Sequence, residues 1–181
     1  DALGVVSLQG EAPPEDKTAD TTWTPAFFKA ESAELAKISI NMCLVASVSV
    51  ANTMAELCEK VDADWSEIVP ALKLDRRIGQ YAYLKPGLGI AGGNLERDLA
   101  TVIKLASHMG TDAQVVRAYV KDSAYRKEWS LRKLHETVLY AETEAVLGVL
   151  GLAYKENTAS IKNSAAVELL TALTRQGQTH R

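Results

Sequence analysis

Lys37 and Asn41 stand four residues apart in a stretch, Ala33 to Val61, that holds neither Gly nor Pro. A helix there projects both side chains from one face. Asn52 falls only about 60° round the same helix from Lys37. A lysine set among apolar residues such as Leu35, Ile38, Met42, Leu44, Val45 and Val48 is costly unless it is paired or functional. The plainer alternative is a lysine that snorkels to solvent or meets a carboxylate, and spacing leaves both open.

A second candidate is the loop KPGLGIAGGNLERD, Lys85 to Asp98. Its glycines free backbone N–H groups and its end starts a helix, which suits anionic or sugar ligands. A tight helix–helix connection explains the same residues. No GK[ST] follows, and GVLG at Gly148 to Gly151 is not GxGxxG, so neither familiar phosphate-loop pattern is met. His108, His135 and His180 have no metal-ligand spacing with one another or with the cysteines, and no metal site is expected.

These groups must be placed by a globular chain. It has 181 residues, 47% hydrophobic and 24% charged, with a formal net charge of -3. That charge lacks the clustered cations a nucleic-acid surface needs. Cys43 and Cys58 share one apolar helical stretch, beyond disulfide reach within a single helix. No run of eighteen apolar residues and no basic leader opens the chain, so a soluble, cytoplasmic protein without a membrane partner is expected.

Residues 9 to 25, rich in Pro, Glu, Asp and Thr, read as a linker or surface excursion. The 33–61 helix, apolar on most faces, is expected to be buried nearly all round; it would span roughly 40 Å, long enough to suggest a dimer core. A short helix follows, capped by Asp64 with Glu67 in the capping-box position, limited by Pro70 and over by Leu74. Residues 75 to 94 carry five of the eleven glycines and form a loop, the expected working surface. Helices are then expected from Leu95 to Met109, stopped by Gly110, and from Thr111, with Gln114 completing a capping box, towards Ala141, interrupted between Arg126 and Arg132. Ala145 to Leu152 (AVLGVLGL) reads as a strand and Ser164 to Thr174 as a helix.

Taken in order, AELAKISINMCLVASVSVANTMAELCE (Ala33 to Glu59), LDRRIG (Leu74 to Gly79), YLKPGLGIAGGNLERD (Tyr83 to Asp98) and VLGLAYKENTASIKNS (Val149 to Ser164) resemble the UDP-glucose/GDP-mannose dehydrogenase family. The resemblance covers most of residues 33 to 175. It implies a mainly α chain: a helical central domain that makes a homodimer through the 33–61 helix, then the first β-α unit of an incomplete Rossmann-like domain that binds nucleotide sugar. The implied boundaries are a linker and end of an N-terminal domain at 1–30, the central helical domain at 31–143 and the start of the C-terminal domain at 144–181. The NAD-binding domain of the family precedes all of this, so NAD is implied as a cofactor held mainly outside the chain.

By position, the resemblance implies catalytic roles for Lys37, which would stabilise developing oxyanions, Asn41, which would hold a water, and Asp98, which would orient both. Arg77, Tyr83, Leu84, Lys85, Pro86, Gly87, Ala91 and Lys155 fall on substrate-binding positions. Arg97, where the family has a lysine, and Lys162, where it usually has an arginine, fall near the cofactor. Tyr154 fills a usual Phe position, and the Arg77 to Tyr83 stretch is one residue longer than in some relatives.

One departure dominates. The family's G-x-G-G-x-C-x-x-K-D pattern laid on GIAGGNLERD puts Asn94 at the catalytic cysteine, and Ala91 and Gly93 also differ. A carboxamide cannot form the thiohemiacetal on which the second oxidation depends, and no cysteine lies between Glu59 and Arg181. Two classes of function are therefore expected. The complete protein is either an NAD-dependent nucleotide-sugar oxidoreductase that stops at the aldehyde or takes a non-covalent route, or a catalytically silent nucleotide-sugar-binding or dimerisation protein. The chain alone is expected to be inactive.

Overall fold

The computed structural model describes residues 3–5, 27–142 and 145–176. The chain divides into two compact units, Asp1–Asn41 and Met42–Arg181. In the first, β1 (Leu3–Val5) pairs antiparallel with β2 (Phe27–Lys29), Gly4 opposite Phe28. The linker expected at 9–25 lies outside the described residues.

Helix α1 (Ala30–Val61) begins in the first unit and continues into the second. Gly and Pro are absent from it, so nothing interrupts its backbone ladder. The expectation of a helix buried nearly all round is corrected. Val45, Ala51, Ala55 and Cys58 are buried, whereas Val50, Met54, Leu57 and Val61 are 56%, 38%, 51% and 63% exposed. Those four follow i, i+4, i+7, i+11 spacing and so form one apolar stripe, which no described element covers. By length and composition α1 could cross a membrane. Its other side carries Asn52, Glu56 and Glu59, all hydrogen-bonded to protein groups.

Helix α2 (Trp65–Leu74) is capped by the Asp64 carboxylate, which accepts from Ser66 N at 2.7 Å. It ends at Leu74, as expected, and runs through Pro70. The bond Pro70 cannot make would fall on the Ser66 carbonyl, and Ser66 is exposed, so water can satisfy that group. Helix α3 (Asn94–Met109) stops where expected, at Gly110 with φ of 68°. Thr111 does not cap the next helix; its N–H closes α3 on the Ala106 carbonyl at 2.9 Å. Helix α4 (Gln114–Lys127) begins after Ala113 instead, with Asp112 accepting from Gln114 N at 3.3 Å. The expected interruption falls at Glu128, followed by α5 (Trp129–Leu134) and a π-helical turn, His135–Leu139.

The strand expected over Ala145 to Leu152 does not form: among the described residues this segment holds one isolated bridge, at Leu147. A strand needs neighbours to take its N–H and C=O groups, and Leu150 lies fully in solvent. Helix α6 (Ala165–Arg175) follows. Three apolar clusters hold the second unit. Trp65 and Leu84 join α1 to α2; Val45, Ile90, Leu99 and Val116 join α1 to α3 and α4; Leu139, Ala145 and Leu173 seat α6. The described part of the chain is mainly helical, as expected. Cys43 and Cys58 are free thiols, exposed and buried respectively.

Candidate functional site

The glycine loop between α2 and α3 is held chiefly by its backbone. Trp65 Nε1 donates to the Leu84 carbonyl at 2.9 Å. Gly87 is gripped on both sides: its N–H donates to Asn52 Oδ1 at 2.7 Å and its carbonyl accepts from Arg126 Nε at 2.9 Å. Ile90 N–H donates to Ser123 Oγ at 2.7 Å. Gly89, at φ of 79°, passes so close to α4 that a Cβ would lie 2.6 Å from the Ser123 carbonyl. No side chain fits there without moving helix backbone. Further on, Gly92 exchanges hydrogen bonds with the 162–163 segment.

Arg126, whose side chain is 7% exposed, can stand behind the loop because Glu56 neutralises it. Glu56 accepts from Arg126 Nη1 at 3.1 Å, Arg132 Nη2 at 2.9 Å and the Tyr125 hydroxyl at 3.0 Å. Burial pushes the Glu56 carboxyl up, but the hydrogen bonds from Arg132, Tyr125 and Arg126 together outweigh it and hold the group below the usual carboxylate range. The same carboxylate raises the Tyr125 hydroxyl above its ordinary value. Arg126 also lies over the Trp129 ring, 4.9 Å from its centroid.

Asn94, Arg97 and Asp98 occupy the first turns of α3. Asn94 is exposed; Asp98 is buried and accepts from Arg97 Nε and Nη2 at 3.2 Å. The C-terminal segment meets the loop immediately before them, at Gly92 and Gly93. The Tyr154 ring lies 2.9 Å from where a Gly92 Cβ would be, Lys162 Nζ lies 2.8 Å from the corresponding point on Gly93, and Lys155 Nζ stands 5.5 Å from the Tyr154 ring centroid. Residues 91–98 and 154–162 therefore form one cluster, two of whose cations, Arg97 and Lys162, sit at the positive end of the α3 dipole. That arrangement suits an anionic group such as a phosphate.

Other expected residues are placed less tightly. Tyr83 and Lys85 are exposed, Pro86 and Ala91 half-buried, and Gly87 contributes backbone. Leu84 is 7% exposed with its carbonyl already bonded to Trp65, so its side chain belongs to the core and does not offer a ligand surface. Arg77 is exposed and forks onto Asp75, at 2.7 Å and 3.0 Å, which pulls the Asp75 carboxyl down. Lys37 and Asn41 lie in the first unit. Lys37 is exposed rather than buried among apolar groups, and Asn41 is half-buried.

A cavity of about 540 Å³ lies elsewhere, between α3, α4, α5 and α6, and none of the expected residues lines it. Its walls are mostly apolar, with Lys127 ion-paired to Glu168 at 2.8 Å and Glu96 at 3.5 Å. Four residues that hold the loop had no assigned role: Glu56, Ser123, Arg126 and Asn163. The available signal was helical spacing, since Asn52 and Glu56 are four apart on α1 and Ser123 and Arg126 three apart on α4.

Residues 31–123 match the model of the UDP-glucose/GDP-mannose dehydrogenase family, central domain. The chain belongs to this family. It is 31% identical over 147 residues to UDP-glucose 6-dehydrogenase TuaD of Bacillus subtilis (strain 168), covering 81% of this chain and 32% of that protein. It is 28% identical over 150 residues to UDP-glucose 6-dehydrogenase of Drosophila melanogaster, covering 81% and 31%. A solved UDP-glucose dehydrogenase from Pyrobaculum islandicum superposes with a TM-score of 0.76 at 28% identity, over 84% of this chain and 35% of that one. The fold is shared with a UDP-D-ManNAc dehydrogenase of Pyrococcus horikoshii at 24% identity and a TM-score of 0.71, over 84% and 35%. The chain thus spans about a third of the length of the family members it matches.

Proposed function

We propose that the complete protein is an NAD-dependent oxidoreductase that oxidises an alcohol of a nucleotide sugar, and that this chain supplies its dimer-forming and substrate-facing part. The observation that carries the reading lies at the start of α3, where the Gly92–Gly93 backbone leading into Asn94 meets Tyr154 and Lys162 and Arg97 pairs with Asp98, in a member of this family. Lys155 and the 83–87 backbone would hold the sugar nucleotide, with Arg77 and Ala91 at its edges. Arg97 and Lys162 would face the cofactor's phosphates, and NAD, when bound, supplies the hydride acceptor. Lys37 would stabilise the alkoxide as the alcohol proton leaves, while Asn41 and Asp98 would hold and orient a water.

Asn94 removes covalent capture of the aldehyde. The reaction therefore ends at the aldehyde or goes on through its hydrate. The same residue favours the second reading, a silent sugar-nucleotide-binding protein. Counting NADH per sugar over a panel of UDP- and GDP-sugars separates these. One NADH per sugar with an aldehyde product is expected; two with a uronic acid would establish the hydrate route, and tight binding without turnover would leave only the silent reading.

The exposed stripe Val50, Met54, Leu57, Val61 supports a homodimer through the 33–61 helix. Light scattering should give twice the chain mass, and Leu57→Asp should return a monomer; a monomeric wild type would end the dimer assignment. The domain boundaries 1–30, 31–143 and 144–181 and a cytoplasmic location complete this reading.

A further inference from the structure

We propose that Asn163 is a positioning residue that fixes the loop at Gly92 and so sets how Asn94 and the first turn of α3 stand against the Lys155–Lys162 segment. The proposal rests on the dehydrogenase reading for its catalytic consequence and on the geometry alone for the clasp. Gly92 is buried at φ of 81°. Its N–H donates to the Lys162 carbonyl at 3.2 Å, and its carbonyl accepts from Asn163 Nδ2 at 2.7 Å. Both polar groups of this one peptide residue are thus taken by two consecutive residues more than sixty positions away in sequence. The same Asn163 amide also donates to the Glu96 carboxylate on the first turn of α3.

Glu96 is itself held by Lys127, which ties it to Glu168 on α6. Asn163 therefore stitches the loop to α3 while the ion bridge stitches α3 to α6. Asn163 pays for this with its own backbone, which sits at φ of 54°, a region few side chains tolerate. Asparagine combines that tolerance with an amide nitrogen carrying two donors, one for each acceptor here. Because Asn163 follows Lys162 directly, a ligand that orders Lys162 also tightens the clasp two residues before Asn94.

Two variants separate the side chain from the backbone. Asn163→Gly keeps the left-handed conformation and removes the donors. Asn163→Asp keeps the shape but turns acceptors towards the Gly92 carbonyl and the Glu96 carboxylate. In the complete chain, amide hydrogen exchange at Gly92 should speed up at least about ten-fold in both, with Ile90, held by Ser123, and helix α1 unchanged. In the same proteins kcat should fall about ten-fold with KM for the sugar nucleotide within about two-fold, the mark of a positioning effect. Unchanged exchange at Gly92 in both variants would overturn the proposal, as would faster exchange with wild-type kcat. A wild type that turns over no sugar would defeat the dehydrogenase reading instead, and the exchange result would still decide whether Asn163 holds the loop.

Discussion

Replacing Glu56 by alanine should destabilise the protein by about 3–5 kcal/mol, the cost of leaving a buried cation without its partner, and lower its thermal midpoint by roughly 10 °C. The cation is Arg126, only 7% exposed at its side chain and fixed in place by its bond to the Gly87 carbonyl. It cannot swing out to water without releasing the loop. Two other donors, Arg132 and the Tyr125 hydroxyl, lose the same acceptor. The effect also has a pH signature. The Glu56 carboxyl is held below its ordinary value of 4.5 in the folded chain, so its contribution is complete above that pH and is lost as pH falls through the lower folded value. Thermal midpoints of wild type and Glu56→Gln, measured from neutral pH to below 4, should converge as the solution is acidified. A constant gap between them would show that the Glu56 charge is not what holds Arg126.

Much of the helical fold was legible in the sequence because it follows from local rules. Gly110 can stop α3 wherever its neighbours lie, and Asp64 needs only Ser66 to cap α2. What local rules could not supply is long-range partnership. Thr111 has the residue type of a cap, but α4 begins only after Ala113, two residues beyond it. AVLGVLGL has strand composition, but strand is a property of a pair. The site divides the same way. Family motifs brought Asn94, Arg97, Asp98, Lys155 and Lys162 to attention, whereas the residues that fix the loop lie on other elements: Glu56 is joined to Arg132 across seventy-six positions and Asn163 to Gly92 across seventy-one. The spacing of Asn52 and Glu56, or of Ser123 and Arg126, on their own helices shows in the sequence, but their partners across the fold do not. The apolar pattern of α1 is plain in its sequence, but pattern reports what a face is made of and not what covers it. The stripe from Val50 to Val61 is apolar and exposed together.

Lys37 carries the largest expected effect on chemistry. In the complete protein Lys37→Ala should lower kcat about 10²–10⁴-fold while KM for the sugar nucleotide changes little, the range usual for a group that assists proton movement and meets charge formed only in the transition state. Lys37 is exposed in this chain, and an ammonium in water stabilises an alkoxide weakly because solvent screens it. Its role therefore requires that substrate or a further part of the protein exclude water from that face during turnover. Lys37→Met, which keeps most of the side-chain length, should lose as much as alanine, since what is removed is charge. Binding of the nucleotide sugar, followed by calorimetry, should survive in both variants. If turnover stayed at the wild-type level in Lys37→Ala, the lysine would have no part in the reaction. The alkoxide would then have to be met by another cation.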